Sequence, residues 1–461
     1  MVAVAEGSVV SRRRFLLPLA LAQFICSFAG SNMNVMINDI SEDLDTNVQG
    51  VQIAITLFLL IMAILMIPGS KLTDRWGRKR CFIGGLTLYG IGALLSAVSP
   101  GLGVLILGNS VFEGVGTALL IPPVYILATL AFDDVTSRAR AFGVISGMGG
   151  IGAAAGPLIG GLIAWGISWR AAFIFQALVV AAIILLSRRM TDPLPADPTR
   201  PFDAVGAVLS AAGMFFVVLG ILQADSNGRL FALFLALGAA LLIVFFLYIR
   251  SRERAGKEAL LSTALFKNRT SNLALATQNA QWLILMGTSF TVAVYLQTVR
   301  GYNPIKTGVI FTAATAGILV SSLAAERLAR KRPQKTLIMA GFVVTLAGIG
   351  LLIGLVDIWS SVVAFVPGLL LIGLGLGVML TPSVNVVQSS FPEERQGEIS
   401  GLSRSVSNLG STFGTAIAGT ILVSGLAFGA YALAMGSLAV AAVLGLVAAI
   451  FLPAKLEQPR A

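Results

Sequence analysis

Two charged residues fall at least a turn inside stretches of this chain long enough to cross a bilayer, and any chemistry is most readily sought there. Glu113 stands in Gly108-Asn109-Ser110-Val111-Phe112-Glu113-Gly114-Val115-Gly116-Thr117. A charged side chain near the membrane midplane costs ~3 kcal/mol on insertion scales, so one found there is a functional candidate by default. A carboxyl group in that position can exchange a proton for a cationic substrate, holding one or the other but not both. Its bland alternative is a structural carboxylate bonded to neighbouring hydroxyls or to Arg404. Arg404, in Ser403-Arg404-Ser405, has three readings: pairing with Glu113, binding an anionic substrate, or snorkelling to the interface. Other chemistries are poorly supplied. The chain has no His, which removes the commonest metal ligand and any histidine relay or triad. Cys26 and Cys81 form no metal-ligand cluster, and no disulfide is expected. No glycine loop is followed by Lys and Ser or Thr, so no ATP-driven motor is expected. Gly373-Leu374-Gly375 lies in an apolar run and reads as packing. No metal or cofactor is expected; a proton gradient would supply the energy.

The elements that position these residues are membrane helices. The chain is 56% hydrophobic and 11% charged, against about 25% charged in a soluble domain. Fourteen apolar segments follow one another: 15–37, 51–72, 82–99, 102–131, 141–164, 171–187, 205–223, 230–249, 271–297, 305–325, 336–356, 361–390, 398–424 and 428–452. Most are about 20 residues, enough to cross ~30 Å of hydrocarbon as a helix. The first apolar run is too long for a cleavable signal and no small-residue cleavage site closes it. With the N-terminus inside, 27 of the 32 Lys and Arg lie on the inner side, four lie outside and Arg404 lies within a span. That asymmetry predicts cytoplasmic termini in the inner (cytoplasmic) membrane. It also accounts for the net charge of +11 without nucleic acid. The first outer loop, Asn38 to Asp45, is acidic.

Four prolines in 188–204 disfavour helix and mark a linker. A second polar stretch covers 250–270. The predicted organisation is an N-terminal six-helix half (1–190), a linker (191–204), an inserted helix pair (205–250), a second linker (251–270) and a C-terminal six-helix half (271–461). Two six-span halves suggest a transporter built from repeats, acting as a monomer.

Gly69-Ser70-Lys71-Leu72-Thr73-Asp74-Arg75-Trp76-Gly77-Arg78-Lys79-Arg80 resembles the major facilitator superfamily signature G-x-x-x-D-R-x-G-R-[KR]. The match is complete from Asp74 to Lys79, with Ser70 at the first Gly position. The resemblance implies a gating loop of Ser70, Asp74, Arg75, Gly77, Arg78 and Lys79 that latches two halves on the cytoplasmic side. Asp133 or Asp134 would be partners for Arg78. The run Gly147 to Gly161 is similar to the superfamily's antiporter motif G-x-x-x-G-P-x-x-G-G, matched at Gly152, Gly156, Pro157, Gly160 and Gly161. Small residues four apart allow close backbone packing, Pro157 favours a kink, and in the superfamily the motif goes with export. Phe202 to Ser210, Leu261 to Arg269, Tyr295 to Pro304 and the Gly397–Gly414 run look like the fourteen-span drug:proton antiporters, over roughly residues 15–452. That resemblance implies an all-α membrane protein of the major facilitator fold. It departs from the antiporter pattern twice. In R-x-x-Q-G-x-G the Arg position is Ser110 and the Gln position is Glu113; in L-D-x-T-x-x-N-V-A-L-P the Asp position is Ala29 and the Pro position is Asn38.

Polar residues within spans outline a cavity: Gln23, Asn32, Asn34, Gln176, Gln278, Asn279, Gln281, Asn385, Gln388 and Asn408, with Phe24, Phe28, Tyr125, Trp282, Phe290 and Tyr295 as aromatic candidates. Apolar walls with a few polar groups suit amphipathic organic compounds. The expected function is proton-coupled export of such compounds, rather than catalysis. The alternative, favoured by Ser110 and Ala29, is a dedicated exporter of one metabolite, lipid or antibiotic with non-standard or no proton coupling. A non-transporting membrane sensor lacks an extramembrane domain to carry its signal.

Overall fold

The computed structural model describes residues 9–454 apart from 133–134, 189, 193–195, 200, 225, 330–331, 360, 392–394 and 426. Fourteen helices are long and apolar enough to cross a membrane, and no strand occurs among the described residues. Spans 1 to 14 cover Phe15–Asp43, Val48–Trp76, Arg78–Ala97, Leu102–Ala131, Arg140–Gly166, Trp169–Ser187, Ala204–Leu222, Gly228–Arg254, Arg269–Val299, Pro304–Ala325, Gln334–Ile358, Val362–Gln388, Glu398–Gly425 and Phe428–Ile450. Several run a turn beyond the apolar segment that marks them, because a helix continues past the hydrocarbon until a cap or a break stops it. The stretch read as an acidic loop is helical over Ile37–Asp43. The turn comes after it, where Asp45 takes φ 49° and Asn47 caps span 2 by accepting from the Gly50 amide at 2.8 Å.

Helix pairing reveals an internal repeat. Span 1 packs on 5 and 6, span 2 on 4, and span 3 on 4 and 6. Eight spans later the same pattern recurs: 9 on 13 and 14, 10 on 12, and 11 on 12 and 14. The two sets meet along two seams, span 2 against 13 and span 5 against 10. Exchanging each span for its counterpart converts one seam into the other, the arrangement of a two-fold related repeat.

Glycine makes the second seam possible. A Cβ on Gly161 would lie 2.4 Å from the Pro304 carbonyl oxygen, and one on Gly308 would lie 2.5 Å from that of Pro157. The two backbones therefore touch reciprocally, and any larger residue would push the halves apart. The inserted pair lies beside the other seam, with span 7 against spans 2 and 13 and span 8 packed on span 7. Asp203 anchors it. Its carboxylate accepts from the Gly206 amide (3.0 Å), the Leu260 amide (3.0 Å) and the Tyr248 hydroxyl (3.1 Å).

Four spans depart from α-helical regularity, span 12 only in a 3-10 turn at its start, Val362–Ala364. Span 1 tightens to a 3-10 turn over Met33–Met36, span 4 widens to a π-helix over Ile106–Glu113, and span 9 does so over Tyr295–Val299. Such interruptions are uncommon inside helices and concentrate at functional sites.

Candidate substrate cavity and buried ionisable groups

Spans 1, 2 and 4 of the first half and spans 9 and 13 of the second line a small cavity of about 30 Å³ between the halves. Span 1 contributes Gln23, Cys26, Ser27 and Gly30; span 2 contributes Leu59, Met62 and Met66; span 4 contributes Ile121. Across the gap stand Trp282 and Met286 of span 9 and Arg404, Asn408 and Ser411 of span 13. Thioether walls adapt to irregular apolar shapes, while the amides and hydroxyls supply a few oriented hydrogen bonds.

Arg404 is 8% exposed and is the one charged residue in that wall. Its guanidinium lies 4.4 Å from the centroid of the Tyr125 ring on span 4. It has neither an ion pair nor a hydrogen bond among the described residues. Tyr125 in turn donates its hydroxyl to Gln23 Oε1 at 3.2 Å. Arg404 is therefore neither paired with Glu113 nor turned out to an interface.

Glu113 ends the π-helical turn of span 4 and is fully buried, but it does not line the cavity. It faces the interior of the first half. A Cβ on Gly92 of span 3 would lie 2.8 Å from the Glu113 amide nitrogen, so the two helices touch here. Neither carboxyl oxygen has a hydrogen-bond partner among the described residues. Tyr89 stands beside it, with its hydroxyl donated to Gln176 Oε1. Cys26, on the cavity wall, also neighbours Glu113 and Thr117. Asn109, Glu113 and Thr117, spaced four apart, all carry buried polar atoms without partners.

Hydrogen bonds close the space at both ends. On the face away from the Asp74–Lys79 loop, Asn34 Nδ2 donates to Ser289 Oγ at 2.9 Å, and Gln297 Nε2 donates to the Asn34 carbonyl at 2.7 Å. The irregular turns of spans 1 and 9 thus satisfy each other across the halves, as backbone freed inside a membrane must be satisfied. On the loop face, Lys71 pairs with Glu398 of span 13 at 2.6 Å, and Ser405 Oγ donates to the Ala63 carbonyl at 2.8 Å.

The loop itself turns on Gly77, whose φ of 93° lets span 2 give way to span 3 at one residue. Arg78 pairs with Asp74 at 2.8 Å and reaches Asp192 at 4.0 Å. Asp192, from the proline-rich linker, accepts from the Arg78 amide at 2.7 Å and the Lys79 amide at 3.2 Å. It satisfies the free amides at the start of span 3. Asp133 and Asp134, the sequence-based partners for Arg78, lie outside the described residues. Arg75 is half-buried, and Ser70 packs on Gly401 of span 13, whose Cβ would lie 3.1 Å away. In the glycine-rich motif, Gly152, Gly156 and Gly160 back onto span 1, whereas Gly161 meets span 10.

Of the polar and aromatic candidates read from the sequence, Gln23, Trp282 and Asn408 reach the cavity with Arg404. The others are placed elsewhere. Gln278 accepts from Ser403 at 2.7 Å, Asn279 donates to the Val406 carbonyl at 2.9 Å, Gln281 donates to Ser383 at 2.5 Å and Gln388 donates to Ser400 at 3.2 Å. Gln176 holds Tyr89, Asn34 holds Ser289, and Tyr295 stacks 4.5 Å from Tyr431. Asn32 is buried against the Gly156 and Gly160 face of span 5. Asn385 is half-buried, and its carbonyl accepts from Ser389. Sequence reasoning passed over Met62, Met66 and Met286, the cavity face of Cys26, and the partners Asp192 and Glu398. Met62 and Met66, four apart, carried a helical-face signal, but in an apolar span that spacing does not separate cavity from core.

The family model for the Major Facilitator Superfamily matches residues 19–415. The chain belongs to that superfamily. This superfamily member is 28% identical over 425 residues to the puromycin resistance protein pur8 of Streptomyces alboniger, covering 91% of this chain and 83% of the relative. It is 26% identical over 413 residues to the multidrug resistance protein Stp of Mycobacterium tuberculosis (strain ATCC 25618 / H37Rv), covering 89% and 75%. It is 25% identical over 417 residues to the riboflavin transporter RibZ of Clostridioides difficile, covering 90% and 89%. The cavity and seams are thus those of a multi-pass membrane transporter.

Proposed function

We propose that this transporter exports amphipathic organic compounds across the cytoplasmic membrane by alternating access of its two six-span halves, in exchange for protons. The observation that carries the reading is the cavity between the halves, with a neutral hydrogen-bonded closure on one face and an ion-paired closure on the other. Rocking about the two seams would open each in turn. The Lys and Arg excess supports a cytoplasmic loop face. Resistance proteins among its relatives favour the outward direction.

Proton duty falls to Glu113, a fully buried carboxyl group without a hydrogen-bond partner among the described residues. Because it lies behind Cys26 rather than on the cavity wall, direct competition with a substrate cation gives way to coupling through spans 1 and 4. The test is substrate-driven proton movement in proteoliposomes, wild type against Glu113→Gln. Proton release by the wild type alone supports exchange at Glu113. Substrate transport by both without proton movement overturns it.

A second reading, a dedicated exporter of one compound without the usual coupling, is favoured by Ser110. Its hydroxyl donates to the Ala54 carbonyl at 2.8 Å, leaving an uncharged helix contact where the related pattern carries Arg. Protection against a single compound, and none against unrelated dyes, would select it.

A further inference from the structure

We infer that the cavity selects aromatic amphiphiles carrying an anionic group, and that Arg404 is the residue that receives that group. The inference deepens the exporter reading and rests on it.

The argument begins with charge. Arg404 is the single charged side chain in the cavity wall, and no carboxylate among the described residues neutralises it. A buried charge without a partner is unfavourable unless something else compensates it. The Tyr125 ring lies 4.4 Å from the guanidinium carbon, and that contact supplies part of the compensation. No carboxylate or carbonyl among the described residues takes up the N–H donors. Those donors are arranged in a rigid fork that matches a carboxylate, sulfonate or phosphate with two parallel hydrogen bonds. Glu113, the carboxylate best placed by sequence to attract a cation, is turned away into the first half.

The rest of the wall matches the body of such a ligand in chemistry, once rocking of the halves widens the cavity. Trp282 offers a ring to stack on, Met62, Met66 and Met286 offer adaptable apolar surface, and Gln23 and Asn408 offer neutral hydrogen bonds. A cationic amphiphile entering the same space would meet an unneutralised guanidinium and lose its hydration without gaining a counter-ion. The charge of Arg404 therefore discriminates by repulsion as well as attraction. Because Arg404 and Tyr125 come from opposite halves, an anion drawn to the guanidinium edge also bears on a contact that joins them.

The experiment uses two dyes with the same xanthene ring system, fluorescein (anionic) and rhodamine 6G (cationic). Each is titrated by fluorescence polarisation against the full chain in phosphatidylcholine nanodiscs. The expected result is that the wild type binds fluorescein at least about tenfold more tightly than rhodamine 6G, the scale of one charge-assisted hydrogen bond. Arg404→Gln should lose that preference, and Arg404→Lys should retain part of it. The wild-type comparison needs no variant, so a misfolded Arg404→Gln would not blunt the test. Equal or tighter binding of rhodamine 6G by the wild type, no fluorescein binding, or unchanged fluorescein binding in a folded Arg404→Gln overturns the inference. Flux of both dyes in proteoliposomes separates it from the exporter reading. Fluorescein bound but not carried sinks the exporter reading and keeps the anion site. Rhodamine 6G carried while fluorescein is neither bound nor carried does the reverse.

Discussion

Glu113 and Arg404 are both buried within membrane spans, yet their surroundings differ in kind. Glu113 is enclosed by helices of one half, spans 1, 3 and 4, with Gly92 bringing span 3 against its own backbone. Arg404 stands between the halves, on a cavity wall, with a ring from the opposite half as its neighbour. A group packed inside one half keeps its neighbours when the halves rock. A group between the halves exchanges them. The first situation suits a site that changes protonation, and the second suits one that greets and releases a ligand. Asp203 is the control for both. It is equally buried but satisfied by two backbone amides and a tyrosine hydroxyl, which marks a structural carboxylate.

The comparison breaks most decisively at Glu113. Glu113→Gln should abolish substrate-driven proton movement in proteoliposomes while leaving the preference for fluorescein over rhodamine 6G in place, since the cavity-wall charge that selects between the dyes is that of Arg404. A parallel loss of dye binding would mean that the two sites are one. Next comes Gln23→Glu. It places a carboxylate on the Tyr125 hydroxyl that lies beneath Arg404, neutralising the cavity. Fluorescein affinity should fall about tenfold and rhodamine 6G affinity should rise, by the arithmetic of one lost ionic hydrogen bond; unchanged affinities for both dyes would remove charge as the selecting feature. Asp203→Ala should cost about 1–3 kcal/mol of stability by stranding its donors. It should lower the melting temperature and leave proton coupling intact; loss of coupling at full stability would undo its use as a structural control. The smallest effect belongs to the loop-face closure. Lys71 and Glu398 are about a quarter exposed, so their pair is worth ~1 kcal/mol or less. Lys71→Glu should modestly increase cysteine accessibility between spans 2 and 13, and adding Glu398→Lys should reverse the change.

Much of this was readable along the chain. Fourteen apolar runs became fourteen helices because backbone in hydrocarbon must bond to itself, and length then decides what spans. Gly152 and Gly161 were legible as close-packing positions, and Gly77 as a tight turn, for the same local reason: the absence of a side chain is a property of the residue. The cavity was less legible. Of the many amides inside spans, Gln278, Gln281 and Asn279 bond neighbouring helices, whereas Gln23 and Asn408 reach open space. All five are polar residues in apolar helices, and nothing in their spacing separates the two fates. Asp192 was hidden for a related reason. A proline-rich linker has no periodicity to tell where its carboxylate will land, and it landed on the start of span 3.

The sequence by itself therefore determined the class, the number of spans, the close-packing face that glycine permits and the two charges that needed explaining. These follow from transfer free energies and steric size, which each residue carries with it. Only the tertiary structure decided that Glu113 looks into one half while Arg404 looks between two. That choice depends on how each helix is rotated about its axis, and packing against distant spans sets the rotation.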